Sequence, residues 1–309
     1  MAGLAAYFGV KVSSSFPILP IALVVVGAAL ILTVLTHLRV GAIDIAVLLV
    51  GIIVLGAAVS GYSFASTPRV TYSATKGEVT ASDMNLVVTA SAGSINIGYA
   101  SNSDLAYNIT FGGGYSLFPF VTNTTVSFSN QTLGNTIFLK AFAAASSINV
   151  EIGSGYFTDI NATSALGSIK LSLPSSANVG ILRLSAGAGS IDASVSGEIA
   201  NGLYLNTGTG SISLQSDNLS AAAKDVPFDV SAGLGSINMN VVIPRQVAVT
   251  LSASASLGSI TNGLQNFTVS QASANRLVAT AGDVGTSNQS FSVTISAGTG
   301  SENLVLNWA

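Results

Sequence analysis

The sequence predicts a mainly β protein, a β-solenoid of about 22 residues per coil that follows a transmembrane helical hairpin. Three observations predict it: one short motif that recurs at a nearly constant spacing, an alternation of apolar and polar side chains after each copy, and two long apolar runs near residue 1. Fixed-period self-similarity is typical of repeat proteins, and a two-residue period is typical of strands. We therefore expect an N-terminal membrane segment over residues 1–66 and a repetitive β domain over residues 67–309.

Two apolar runs open the chain. The first, FPILPIALVVVGAALILTVLTHL, spans residues 16–38, and the second, AIDIAVLLVGIIVLGAAV, spans residues 42–59. Each is about as long as a helix must be to cross roughly 30 Å of hydrocarbon. A cleaved signal peptide is the alternative for the first run, but the run is long for one and a second run follows at once. We expect membrane helices at about 16–37 and 42–62 that anchor the chain in a lipid bilayer.

A helical hairpin places residues 1–15 and the β domain on one side of the membrane. The distribution of positive charge favours the cytoplasm for that side, because it carries Lys11, Arg69 and Lys76 against Arg39 on the other. The composition of the β domain favours the opposite, since it is poor in charge and rich in Ser, Thr, Asn and Gly, unlike a cytosolic surface. We expect a multi-pass protein of the cell membrane with its β domain outside the cytoplasm.

The β domain contains seven Asn-x-Ser/Thr sequons, the acceptor sites for N-linked glycans. They are Asn108, Asn123, Asn130, Asn161, Asn218, Asn266 and Asn288. A domain so rich in Ser, Thr and Asn contains several sequons by chance, so they permit glycosylation without requiring it.

The recurring motif has the form small-Gly-Ser-Ile, as in SAGAGSIDASV at residues 185–195. The glycines of its five strong copies lie 22, 21, 25 and 23 residues apart. Those copies contribute Gly167 and Ile169, Gly189 and Ile191, Gly210 and Ile212, Gly235 and Ile237, and Gly258 and Ile260. Weaker copies contain Ile95 and Ile148. The residue after the isoleucine is polar in every copy, as an outward strand position should be.

If each period is one coil of a solenoid, equivalent residues of successive coils stack about 4.8 Å apart. The isoleucines then fill the interior, and each glycine forms a corner that a Cβ would hinder. A β-sandwich with a strand about every ten residues is the alternative. It accounts for the spacing but gives no reason for one tripeptide to recur in phase.

The phrasing of the repeat resembles the toast-rack family of β-helical, adhesin-like domains, which are often attached to membrane helices. The stretches IKLSLPSSANVGILRLSAGAGSIDASV (169–195) and INMNVVIPRQVAVTLSASASLGSI (237–260) carry the resemblance, which extends over about residues 87–308. It implies a surface or envelope scaffold, sometimes linked to envelope-stress signalling, and no established chemistry.

Composition excludes several classes of function. The chain has no cysteine and a single histidine, His37, so a thiolate or multi-histidine metal site and a Ser-His-Asp triad are excluded. Its net charge is −3 with no basic cluster, which excludes a nucleic-acid partner. The carboxylates are scattered, and the closest pair, Asp225 and Asp229, is typical of a turn. We expect no enzyme activity, no cofactor and no metal.

An aromatic-rich section at residues 99–142 interrupts the period. Aromatic side chains are enriched where proteins contact partners, so this section and the C-terminal tryptophan are candidates for a partner surface. The candidates are Phe111, Tyr115, Phe118, Phe120 and Trp308. A bulky core or a cap is the alternative. Glu302, which takes the place of the motif isoleucine near residue 309, predicts that the column stops there.

These observations predict a membrane-anchored, non-catalytic cell-envelope protein, structural or adhesin-like, whose partners are the bilayer, itself or another envelope protein. The alternative is an accessory or sensing subunit of a membrane complex or an envelope-stress system.

Overall fold

Strands form throughout the part of the chain that the structure, a computed structural model, describes: residues 69–100, 104–112 and 125–309. The mainly β prediction is therefore confirmed for these residues. None of them belongs to a helix long and apolar enough to cross a membrane. The predicted anchor, with its helices at 16–37 and 42–62, lies outside the described residues.

The strands follow the predicted alternation of side chains. In Ile169–Leu173 three apolar residues are buried and the two polar residues between them are exposed. In chain order the strands are β1 (Val70–Thr75), β2 (Asp83–Ala92), β3 (Ile95–Tyr99), β4 (Leu105–Phe111), β5 (Val126–Leu133), β6 (Thr136–Ala143), β7 (Ile148–Ile152), β8 (Phe157–Leu166), β9 (Ile169–Leu173), β10 (Asn178–Ala188), β11 (Ile191–Val195), β12 (Gly197–Thr209), β13 (Ile212–Ser216), β14 (Leu219–Ala221), β15 (Val226–Leu234), β16 (Ile237–Ile243), β17 (Ala248–Leu257), β18 (Ile260–Asn262), β19 (Thr268–Ala272), β20 (Arg276–Ala281), β21 (Ser290–Thr299) and β22 (Glu302–Trp308).

The strands form two long sheets that share one hydrophobic core. Sheet A has the order β1-β4-β7-β3-β9-β11-β13-β16-β22-β18. Sheet B has the order β19-β20-β17-β21-β15-β12-β10-β8-β2-β6-β5, with β14 beside β12. From β8 to β13 consecutive strands alternate between the sheets, and strands one repeat apart pair in parallel, as β9 does with β11. Each repeat thus adds one strand to each sheet.

The motif isoleucines form one column in sheet A. Adjacent members are register partners, so side chains of the same type lie one strand apart. In spatial order the column is Ile148, Ile95, Ile169, Ile191, Ile212, Ile237, Glu302 and Ile260. The first six isoleucines are fully buried, and burial of each contributes about 2 kcal/mol. Ile260, at the edge of the sheet, is half-buried.

The motif glycines form a second column at the corner between the sheets. Gly210 has φ +143°, and a Cβ there would overlap the carbonyl oxygen of Gly189 in the neighbouring repeat. The glycine two residues earlier is constrained in the same way, because a Cβ on Gly208 would lie 2.6 Å from the carbonyl oxygen of Gly187. The close approach of successive corners therefore favours glycine, and Gly-x-Gly recurs at four of them. Ala165 and Ser256 hold the earlier position before Gly167 and Gly258.

Two strand pairs, one early and one late in the sequence of the β domain, are out of chain order in the sheets. The pair β2–β3 lies between β6–β7 and β8–β9, and the pair β21–β22 lies between β15–β16 and β17–β18. The expectation that Glu302 marks the end of the column is therefore wrong, since its strand has neighbours on both sides. Parallel registry requires matching corners, and Gly300 supplies a motif corner to β22 wherever it falls in the chain.

Antiparallel strands cover both ends of the parallel stack. At one end β1 pairs with β4, and β5 pairs with β6. Tyr72 stacks on Phe128 there, with ring centroids 4.7 Å apart, and contacts Phe111 edge-on at 6.1 Å. At the other end β19 and β20 form a hairpin beside β17. In the aromatic-rich section, β4 and β5 with Phe111 and Phe128 thus belong to a cap, whereas Phe138 and Phe142 lie on β6 of the parallel stack.

Candidate contact surface

The outward side of sheet B carries an array of mostly small polar side chains, here called the hydroxyl face. Its first column contains residues in register on six neighbouring strands, all exposed or half-exposed. They are Thr163, Ser185, Asn206, Ser231, Ser296 and Ser254. Towards the corner the next outward positions are mostly glycine, including Gly187, Gly208 and Gly233. Exposed leucines, Leu166, Leu234 and Leu257, follow at the corner itself.

A second column of the hydroxyl face lies two residues earlier on the same strands. It contains Asn161, Arg183, Tyr204, Asp229, Thr294 and Ser252. The Arg183 guanidinium carbon lies 4.9 Å from the centroid of the Tyr204 ring, a cation–π contact that holds both side chains against the sheet. One positive and one negative side chain thus flank the Tyr204 ring, while the rest of both columns is uncharged.

A shallow groove of about 300 Å³ lies on the same side of sheet B near its β5 end. It is lined by Val87, Thr89, Ser127, Phe128, Ser129, Lys140, Ala141 and Phe142. Registry places the side chains in two outward rows, Ser127–Phe142–Thr89 and Ser129–Lys140–Val87. Its lining thus includes aromatic rings, hydroxyls and one ammonium group.

The predicted partner surface does not form as a unit. Phe111 is buried, 2% exposed, so the prediction is wrong for this residue because its ring packs into the cap. Tyr115, Phe118 and Phe120 lie outside the described residues. Trp308 is half-buried, and its Nε1 donates to the carbonyl of Val247 at 2.9 Å, so most of the ring serves the fold.

The described sequons differ in accessibility. Asn218 and Asn288 are exposed in loops, and Asn130 and Asn161 are exposed on strands. Asn266 is exposed, with φ +65°, and its Nδ2 donates to the Trp308 carbonyl at 2.8 Å. Asn108 is half-buried, and its Nδ2 donates to Glu151 at 2.8 Å. Asn123 lies outside the described residues.

The carboxylates of the described residues serve turns or are dispersed. Asp225 accepts a hydrogen bond from Ser290 Oγ at 3.1 Å while its own amide donates to that oxygen at 2.7 Å, which ties the turn before β15 to the start of β21. Hydrogen bonds from Thr286 and the Gly285 amide lower the pKa of Asp283, which caps its own turn. Within 69–100, 104–112 and 125–309, no three His, Cys, Asp or Glu side chains converge on a possible metal position.

The sequence carries a signal for the hydroxyl face outside the recurring motif. The motif marks the strand after each glycine, whereas this face belongs to the strand before it. The Ser of LSA in GILRLSA (180–186) and in VAVTLSA (247–253) marks outward positions of that strand, at Ser185 and Ser252.

No protein-family model and no curated protein matches the chain. Among solved structures, a "putative cell adhesion protein" from Clostridium sporogenes is 14% identical with a TM-score of 0.49, covering 77% of this chain and 99% of its own. "Putative adhesins" from Parabacteroides distasonis and Bacteroides fragilis are each 10% identical, with TM-scores of 0.25 and 0.20, covering 77% of this chain and 97% and 98% of their own. At these scores the likeness identifies neither a ligand nor a partner for this chain.

Proposed function

We propose that this chain is a non-catalytic, adhesin-like protein of the cell envelope. Its N-terminal helices anchor it in the membrane, and its β domain winds as a β-solenoid outside the cytoplasm, where the exposed faces of the sheets make contacts. The parallel pairing of strands one repeat apart supports the solenoid, because the strands of a β-sandwich pair antiparallel.

The observation that carries the proposal is the hydroxyl face. Six strands in register and five residues along each strand give a surface of about 24 Å by 13 Å, roughly 300 Å². A stable protein complex buries about 800 Å² on each partner, so one such face binds weakly on its own. Display of many copies on a membrane turns weak contacts into firm attachment, since each contact after the first is effectively intramolecular. The scarcity of charge, 7% of all residues, keeps copies from repelling one another.

Protease accessibility tests the orientation. We expect a protease added to intact cells that produce the full chain to remove the β domain. Complete protection, with digestion only after the cells are opened, would place the domain in the cytoplasm and contradict the proposal.

Vesicles that carry the full chain test the contact. We expect them to be retained on intact cells of the producing strain, or to cluster with one another, more than empty vesicles. The variant Ser185→Glu with Ser231→Glu adds charge to the hydroxyl face and should remove most of this retention. The matched control is Ser172→Glu with Ser194→Glu, on exposed register partners of sheet A.

Equal retention of the two double variants would exclude the hydroxyl face as the contact surface. Absence of retention and of clustering for the unmodified chain would contradict an adhesin-like role. Copurification of a stoichiometric membrane partner would instead favour the accessory subunit.

A further inference from the structure

Glu302 is a carboxyl group in a position that otherwise holds isoleucine. It is the first residue of β22, and its register partners are Ile237 on β16 and Ile260 on β18. Glu302 is fully buried, 0% exposed. A side chain that can ionise thus lies within an apolar column, with strands on both sides.

The carboxyl group is only half satisfied. Its Oε1 accepts a hydrogen bond from the amide of Ala297 at 3.0 Å, whereas Oε2 is buried with no hydrogen-bond partner among the described residues. An ionised carboxylate needs acceptor sites filled on both oxygens, so this environment favours the neutral acid.

Among the described residues, no cation compensates the carboxylate. The strands around Glu302 are β15, β16, β17, β18 and β21, and their one ionisable side chain is Asp229, exposed on the hydroxyl face. Arg276 lies one strand further, on β20, and is also exposed. Ionisation of Glu302 therefore leaves a buried charge with one backbone amide as its partner.

Glu302 lies on β22. The strands β21 and β22, which are out of chain order in the sheets, are here called the inserted pair. β21 pairs in parallel with β15 and β17, and β22 pairs with β16 and β18. Any loosening of β22 therefore opens sheet A between β16 and β18, instead of fraying a free edge.

We infer that Glu302 makes the seating of the inserted pair dependent on pH. When Glu302 is protonated, β22 is held between β16 and β18. When it ionises, the buried charge favours conformations in which β22 leaves its place and the carboxylate reaches water.

The direction of the pH effect follows from the direction in which the pKa of Glu302 is shifted. Burial raises the pKa of Glu302 above its ordinary value, and the hydrogen bond from Ala297 offsets only part of this increase. The folded chain then binds more protons than the unfolded chain, so stability falls as pH rises. The contribution of Glu302 to folding stability is complete below its pKa in the unfolded chain, about 4.3, and is lost as pH rises through its pKa in the folded chain.

Trp308 lies on the same strand and is the only tryptophan of the chain, so its fluorescence reports on β22. We propose to follow the full-length protein in detergent from pH 4 to 7, by Trp308 fluorescence and by amide-exchange protection factors of β22. The opening equilibrium of β22 should rise about tenfold for each unit by which the pKa is raised.

Glu302→Gln keeps the shape of the side chain without the charge, and its protection factors should not change over this range. Glu302→Ile restores the column residue and should do the same, which covers failure of the Gln variant to fold. The matched control is Glu198→Gln on β12, where the glutamate is exposed and the variant should keep the pH dependence of the unmodified chain.

A pH-independent opening of β22 in the unmodified chain would overturn the inference. The same holds for a pH dependence that survives in both Glu302 variants, or one that Glu198→Gln abolishes. None of these outcomes depends on adhesion, so the inference and the proposed function are tested separately.

Discussion

Truncation of a central member of the isoleucine column tests whether the column is a shared core. Ile212 is fully buried between Ile191 and Ile237, whereas Ile260 is half-buried at the edge of sheet A. The change Ile212→Ala removes three carbon atoms, which costs about 2.4 kcal/mol of transfer free energy at roughly 0.8 kcal/mol each. The residual cavity brings the expected loss of unfolding free energy to about 3–4 kcal/mol.

The matched variant is Ile260→Ala. Its side chain keeps part of its contact with water and leaves no closed cavity, so the expected loss is about 1 kcal/mol. In a domain of this size 1 kcal/mol corresponds to about 2–4 °C in the melting temperature. We therefore expect a decrease of about 6–16 °C for Ile212→Ala and about 2–4 °C for Ile260→Ala.

The assay is thermal unfolding of the full chain in detergent, followed by far-ultraviolet circular dichroism, with urea unfolding as a second measure. Equal losses for the two variants would refute the reasoning, because a shared column requires a buried centre and a softer edge. A larger loss at Ile260 would do so as well.

Two further predictions follow from the backbone and from the sequons. Gly210→Ala should cost about 3 kcal/mol or more of unfolding free energy, because the residue is strained at positive φ and its Cβ displaces the neighbouring repeat. Gly98→Ala, where the added Cβ lies in open space, should cost less than about 1 kcal/mol in the same thermal assay. In a host that attaches N-linked glycans, Asn218 and Asn288 should be occupied in mass spectra of the peptides and Asn108 should not; a glycan on Asn108 would contradict the hydrogen bond to Glu151.

Periodicity explains what was predictable from the sequence. A residue type that recurs at one phase must meet its equivalents when repeats stack, so the column from Ile169 to Ile237 and the corners at Gly189 and Gly210 follow from spacing alone. The outward polar position after each isoleucine follows in the same way. Asn96 and Asn149 even bond to each other across adjacent strands, Nδ2 to Oδ1 at 2.8 Å.

Spatial order was not predictable, because periodicity fixes the phase of a repeat and not its neighbours. β3 and β7 are partners although Ile95 and Ile148 lie 53 residues apart, and β22 pairs with β16 although β17–β21 lie between them in the chain. The groove depends on the same kind of distant pairing, with Lys140 opposite Val87. Several spatial orders of the strands are compatible with the same repeat phase, and the packing of particular corners decides among these orders.

The place of Glu302 in the stack decides how the domain responds to acid. Hydrogen bonds from Thr75 lower the pKa of Glu78, and Asp283 is shifted in the same direction, so these two carboxylates favour folding above their unfolded pKa and lose that effect as pH falls. Both are fully exposed, where solvent weakens such contributions. Glu302 acts in the opposite direction from a buried position. If Glu302 lay at the end of the column, as the sequence alone suggested, water would solvate its charge. Glu302 would then make no pH-dependent contribution to stability. Between β16 and β18 the carboxyl is buried, so the contribution of Glu302 should favour the folded β domain more at pH 4 than at pH 7.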